Sequence, residues 1–126
     1  MKQLFVILPL VSFLHGQTFV DFDNDGLADA WELIHFPTLA TATGSGNSDE
    51  DDLTNLAEQT AGTNPTKSDT DDDGLQDHVE TGSGSFTYAS DTGTTPMDPD
   101  SDADGLLDGE EVSATNGAIT DPNKED

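Results

Sequence analysis

The chain of 126 residues has no cysteine and only three Lys or Arg. The first absence excludes a disulfide framework, a thiolate zinc site and a lipidated cysteine anchor. The second excludes nucleic acid as a partner, because phosphates require cationic contacts. It also sets the chain against anionic membrane surfaces. Aromatic residues are few, with one Trp and one Tyr, and hydrophobic residues make up 32%. A large apolar core is therefore not available. Long apolar runs are missing too, apart from Leu4 to Leu14 close behind Met1 and Lys2. That run is too short for a membrane span, which takes ~20 apolar residues, and fits the core of a secretory signal. Residues 1–16 are accordingly expected to be a signal peptide. The expected location is secreted, extracellular or cell-surface, with no stable membrane insertion once the signal is removed.

What the chain has in excess is acid: 27 Asp or Glu, for a net charge of -24. The acids are patterned. Residues 69–80 read D-T-D-D-D-G-L-Q-D-H-V-E. With Asp69 as position 1, acids fall at Asp69, Asp71, Asp73, Asp77 and Glu80, which are positions 1, 3, 5, 9 and 12. Gly74 stands at position 6. That is the spacing of a calcium loop. A hard cation of calcium's size takes six to eight oxygens at roughly 2.3–2.6 Å. Alternate acids on a curled loop can meet at one point, and glycine permits the sharp turn. The Leu75 carbonyl would supply position 7, and Glu80 can close the shell with both oxygens.

The pattern recurs at 21–32, with Asp21, Asp23, Asp25, Leu27, Asp29 and Glu32, and at 100–111, with Asp100, Asp102, Asp104, Leu106, Asp108 and Glu111. A fainter copy at 47–58 offers Asn47, Asp49, Asp51, Leu53, Asn55 and Glu58, with Asp52 in place of the glycine. Aspartate tolerates a left-handed backbone only at some cost. Three strong calcium sites and one weaker site at 47–58 are expected. Of the 27 carboxylates, 18 occupy ligand positions. Chance alternation of aspartates would not reproduce Gly-Leu at positions 6–7, Asp at 9 and Glu at 12 three times over. So little apolar surface cannot offset chain entropy, and the fold is expected to depend on calcium.

Short helices are expected near 28–36, 53–61, 75–81 and 106–114, one after each loop, with little or no sheet. In the first, Leu27, Trp31 and Ile34 share a face. In the second, Leu53, Leu56 and Ala57 point inward and Gly62 caps the end. Residues 38–46 read as a flexible lead-in. Pro65, Pro96 and Pro99 stand where an EF-hand would place entering helices. The loop chemistry is EF-hand-like and the architecture is not. His35 and His78 are expected at the surface, since calcium prefers oxygen. Phe86 and Tyr88 are expected to pack on Val79 or a neighbouring turn.

The strings T-N-P-T-K-S-D-T-D-D-D-G-L-Q-D-H-V-E and T-T-P-M-D-P-D-S-D-A-D-G-L-L-D-G-E-E resemble thrombospondin type 3 repeats, in the form found in exported bacterial proteins. D-G-L-A-D-A-W-E and D-L-T-N-L-A-E-Q-T-A-G-T-N-P are similar to variants from such proteins. The resemblance covers about 21–122, and Asn47 and Asp52 depart from its pattern. It implies an extracellular, calcium-stabilised, elongated module, and the loops and short helices read above are expected to make it an irregular small-α array of tandem repeats over 17–114. Such an array serves as a spacer or adhesion surface toward extracellular matrix, a cell-surface protein or polysaccharide. Residues 115–126 are expected to be an acidic tail or the start of a further repeat. A second reading is a dockerin-like module docking a cohesin-type partner, since dockerins also have calcium loops with exit helices only. They use a pair of repeats, however, and usually Asp at position 12, where this chain has Glu. An enzyme is not expected: the carboxylates are grouped for one cation each, and no nucleophile motif is present.

Overall fold

The computed structural model describes residues 12–14, 17–114 and 117–125. The chain is small and mostly irregular. Most of the expected leader lies outside the described residues. Ser12–Leu14 (β1) pairs antiparallel with Gln17–Phe19 (β2), Phe13 opposite Thr18, and this ribbon is the only sheet among the described residues. Three short α-helices follow: Asp29–His35 (α1), Asn55–Ala61 (α2) and Asp108–Val112 (α3). No helix among the described residues is long and apolar enough to cross a membrane.

The expected helix over 75–81 is not an α-helix. Asp77–Val79 makes a single 3₁₀ turn and stops. The Val79 carbonyl is taken by the backbone N–H and hydroxyl of Thr92, at 2.9 and 3.0 Å. Gly82 and Gly84, both at positive φ, then turn the chain away. The other helices are shorter than expected because each loop's position 9 starts the helix. Thr54 caps α2, accepting from the Ala57 N–H at 3.2 Å, and Gly62 ends it in the left-handed region at φ 90. Phe36, pushed into extended backbone ahead of Pro37, ends α1. No helix enters loop three, since Thr63–Ser68 is held as a turn by Asn64.

The lead-in at 38–46 is a packed strap, contrary to its flexible reading. Leu39–Thr41 forms a 3₁₀ turn and Ala42 is buried. The Gly44 N–H donates to the Asp25 carbonyl at 3.2 Å, and the Gly44 carbonyl accepts from Leu56 N–H at 3.1 Å. The strap thus joins loop one to loop two, and Ala28 N–H adds a bond to Gln59 Oε1 at 2.8 Å.

Among the described residues there are two apolar clusters, both small. Leu27, Phe36 and Ala42 pack with Trp31; Leu75, Val79 and Val112 pack with Phe86. Ile34 does not share the inward face expected for it and is 77% exposed, because Phe36 takes that place. Leu56 is exposed as well, and so is Tyr88, which bridges to Asp91. His35 is half-buried beside Trp31, with ring centroids 4.8 Å apart, not at the open surface. His78 is also half-buried. Among the described residues, six apolar side chains are buried against thirteen polar or charged ones. The buried side chains of the described residues are mainly acids and threonines.

Candidate metal centres

All four loops take one backbone path. Position 4 has positive φ in each: Asn24 at 60, Glu50 at 66, Asp72 at 67 and Ala103 at 62. Position 6 does too: Gly26 at 99, Asp52 at 76, Gly74 at 101 and Gly105 at 101. Two left-handed residues separated by one curl the chain so that carboxylates at 1, 3 and 5 turn inward. The requirement at position 6 was legible as glycine. That at position 4 was not, since Asn, Glu, Asp and Ala share no sequence signal.

Side-chain bonds hold the curl. In loop three, Asp69 Oδ1 accepts from Asp72 N–H at 2.7 Å and Oδ2 from Gly74 N–H at 3.0 Å. Asp21 and Asp100 bond Gly26 and Gly105 in the same way, at 3.1 and 3.0 Å. Position 5 accepts from the leucine N–H two residues on in every loop: Asp25, Asp51, Asp73 and Asp104, at 2.9, 2.8, 2.6 and 2.9 Å. Position 9 braces position 2. Asp29 holds Phe22 N–H, Asp77 holds the N–H and hydroxyl of Thr70, and Asp108 holds those of Ser101. Asn55 accepts from the Ser48 hydroxyl and donates to the Thr43 carbonyl. Position 9 therefore closes the loop, in addition to the ligand role the spacing gave it.

The carboxylates converge. Asp21, Asp23 and Asp29 come together within 4.8 Å, as do Asp23, Asp25 and Glu32. Asp49, Asp51 and Glu58 meet in loop two, and Asp69, Asp71 and Asp73 in loop three. Asn47 stays at the exposed rim, and its Oδ1 accepts from Glu50 N–H at 2.6 Å. In loop four, Asp102, Asp104 and Asp108 all act electrostatically on Glu111. Of the position-7 leucines, Leu27 is fully and Leu75 nearly buried, while Leu53 and Leu106 are half-buried.

Position 12 decides what such a site can hold. Glu32 and Glu58 are wholly buried, and none of their four carboxylate oxygens has a hydrogen-bond partner. Glu80 and Glu111 are nearly as buried and each leaves Oε2 unpartnered. A buried carboxylate without a partner is heavily penalised, so it requires a cation or a proton. Burial first, then the neighbouring acids, pushes Glu32 up to about 7 and Glu58 and Glu80 up to about 8. Asp73 rises to about 6 for the same reasons. The donor set is oxygen throughout, and the orphaned oxygens fit a hard divalent cation.

A supporting shell was missed by the sequence reading. Thr94 Oγ1 donates to Glu80 Oε1 at 3.0 Å, and Thr120 Oγ1 donates to Glu111 Oε1 at 2.8 Å. Thr63, buried after loop two, keeps its hydroxyl unpartnered. Each threonine opens a T-x-P string: Thr63-Asn64-Pro65, Thr94-Thr95-Pro96 and Thr120-Asp121-Pro122. That repeat was the available signal. The described part of the 115–126 segment is docked by these contacts. Pro122 is buried and Asn123 Nδ2 donates to the Thr92 carbonyl at 2.9 Å.

No family model, curated protein or solved structure matches this chain. Function is therefore read from the loops themselves.

Proposed function

We propose that this protein binds calcium in its four acidic loops and uses the bound ions to order an exported structural or adhesion module of the thrombospondin type 3 kind. The observation that carries this reading is the pair of wholly buried glutamates, Glu32 and Glu58, whose oxygens face converging aspartates without a partner. Asp21, Asp23, Asp25 and Glu32 would hold the first ion, with Asp29 bracing the loop. Asp49, Asp51 and Glu58 would hold the second. Asp69, Asp71, Asp73 and Glu80 would hold the third, and Asp100, Asp102, Asp104 and Glu111 the fourth. The main-chain carbonyls of Leu27, Leu53, Leu75 and Leu106 would supply further oxygens. A bound ion neutralises acids that otherwise repel, and so supplies folding energy that two small apolar clusters cannot.

The ordered array is a spacer or contact surface for matrix, surface protein or polysaccharide, and it performs no catalysis. Exposed Phe22, Leu33 and Ile34, on loop one and α1, offer apolar contact to such a partner. An exported location, reached by way of the leader at 1–16, supplies plentiful calcium. Calorimetric titration of the chain tests the reading. Calcium is expected to bind three or four sites with dissociation constants of ~10⁻⁴–10⁻³ M. Magnesium, which demands a small octahedral shell and releases water reluctantly, is expected to order the chain far less. Equal ordering by the two ions at equal concentration would contradict it.

A further inference from the structure

The third loop does not keep its site to itself. Asp73 and Glu80 of loop three come within 4.8 Å of Asp108, which belongs to loop four. All three are buried. Asp73 is 5% exposed and Glu80 4%, and Asp73 Oδ2 and Glu80 Oε2 have no hydrogen-bond partner. Asp108 is fixed from its other side by the N–H and hydroxyl of Ser101, at 2.9 and 2.7 Å. Gly109, next along, lies so close that a Cβ there would collide with the Asp73 carbonyl. The two loops are in backbone contact at the point where the carboxylates meet.

Resting on the calcium reading above, we propose that loop three and loop four build one composite divalent-cation site, in which Asp108 joins Asp73 and Glu80 around the ion of loop three. Asp108 then serves two loops at once. It closes loop four through Ser101 and adds charge to the centre of loop three, so an ion at loop three clamps the two loops together. A related step occurs one loop earlier. Asp77 of loop three lies in the electrostatic field of Asp49, and itself acts on Asp51 and Glu58 of loop two. Asp77 and Asp108, the position-9 acids of loops three and four, thus each act on the loop before their own.

The position-6 amides report each loop separately, because Gly74 N–H donates to Asp69 and Gly105 N–H to Asp100. Calcium titration of the full chain, followed by amide NMR, is expected to shift both glycines. In Asp108→Asn, which keeps an acceptor for Ser101, the calcium needed at Gly74 is expected to rise about tenfold or more. In Asp102→Asn, a loss at position 3 of loop four that leaves the Asp108 carboxylate in place, Gly105 is expected to move while Gly74 changes less than about twofold. Gly109→Ala alters no carboxylate and wedges the loops apart, and it is expected to weaken the response at Gly74. An unchanged Gly74 titration in Asp108→Asn overturns the proposal. Equal weakening at Gly74 by Asp102→Asn overturns the shared carboxylate in favour of general coupling between loops. If Asp108→Asn does not order at saturating calcium, Gly109→Ala decides, and an unaffected Gly74 there overturns it. A parent whose glycine amides ignore calcium would remove the calcium reading itself.

Discussion

Loops two and three follow the same backbone path, yet at positions 1, 3, 5, 9 and 12 loop two has three carboxylates and loop three has five. At position 1, Asn47 Oδ1 accepts from Glu50 N–H at 2.6 Å, as Asp69 Oδ1 accepts from Asp72 N–H at 2.7 Å. Asparagine thus reproduces the first bond of the turn. It cannot reproduce the second, because Asp69 uses its other oxygen for Gly74 N–H and asparagine has a donor there. Loop two also places Asp52 at φ 76 where loop three has Gly74. Geometry in these loops is set by hydrogen bonding, while attraction for a cation is set by charge, and the two can be separated. Loop two keeps the first and loses much of the second.

The largest expected effect is Asp73→Ala, which removes a buried carboxylate, the Leu75 N–H bond and one neighbour of Glu80 together. Calcium affinity at loop three should fall by about a hundredfold, read at the Gly74 amide. Asp51→Ala should lower loop two's affinity less, in absolute terms, because less is there to lose. Equal losses would break the comparison.

Next comes pH, acting through the same buried acids. Glu58 and Glu80 stand at about 8 in the folded chain, against 4.5 as the ordinary value. Between those values the folded state holds protons that the unfolded state has released, so stability falls as pH rises. The chelated chain should therefore be better ordered at pH 5 than at pH 8.5, by circular dichroism. On the proposed calcium reading the ion takes the proton's place, so its binding should strengthen over the same rise. A chelated chain more stable at pH 8.5 would show that these glutamates are not buried as described.

A smaller effect is expected at Thr94→Val, which strips the hydroxyl from Glu80 Oε1. Loop three should lose about tenfold in affinity, the usual scale for a ligand's supporting bond. Thr63→Val should leave loop two nearly unchanged, since that hydroxyl holds no carboxylate. The smallest effect sharpens the comparison from the other side. Asp52→Gly should tighten loop two by relieving about 1 kcal/mol of left-handed strain, about fivefold in affinity. If calorimetry shows no tightening, 47–58 is a connecting segment and the sites number three.

The loops were legible because each demands acids at fixed steps, and three of the four exit helices because apolar spacing follows; the fourth, after loop three, is only a 3₁₀ turn. Pro65 and Pro96 likewise announced that no helix enters. Three features were not legible. The left-handed residue at position 4 is filled by Asn, Glu, Asp or Ala, so nothing marks it. The strap at 38–46 looks featureless because its contacts run through the backbone of Gly44 and Gly46. The meeting of Asp108 with Glu80 spans 28 positions of chain and depends on how the 81–99 segment folds back. That return is set by Thr92 on the Val79 carbonyl, a contact without a local pattern. Ile34 was misplaced because helical spacing counted it inward, while Phe36, just past the helix, filled the available space.

The most direct test is a calcium titration of the full chain read amide by amide at Gly26, Asp52, Gly74 and Gly105. Calcium is expected to move Gly74 and Gly105 at the lowest concentrations, Gly26 next and Asp52 last, with magnesium at equal concentration leaving all four nearly unmoved. Movement of Asp52 before Gly74, or an equal response to magnesium, would contradict the account.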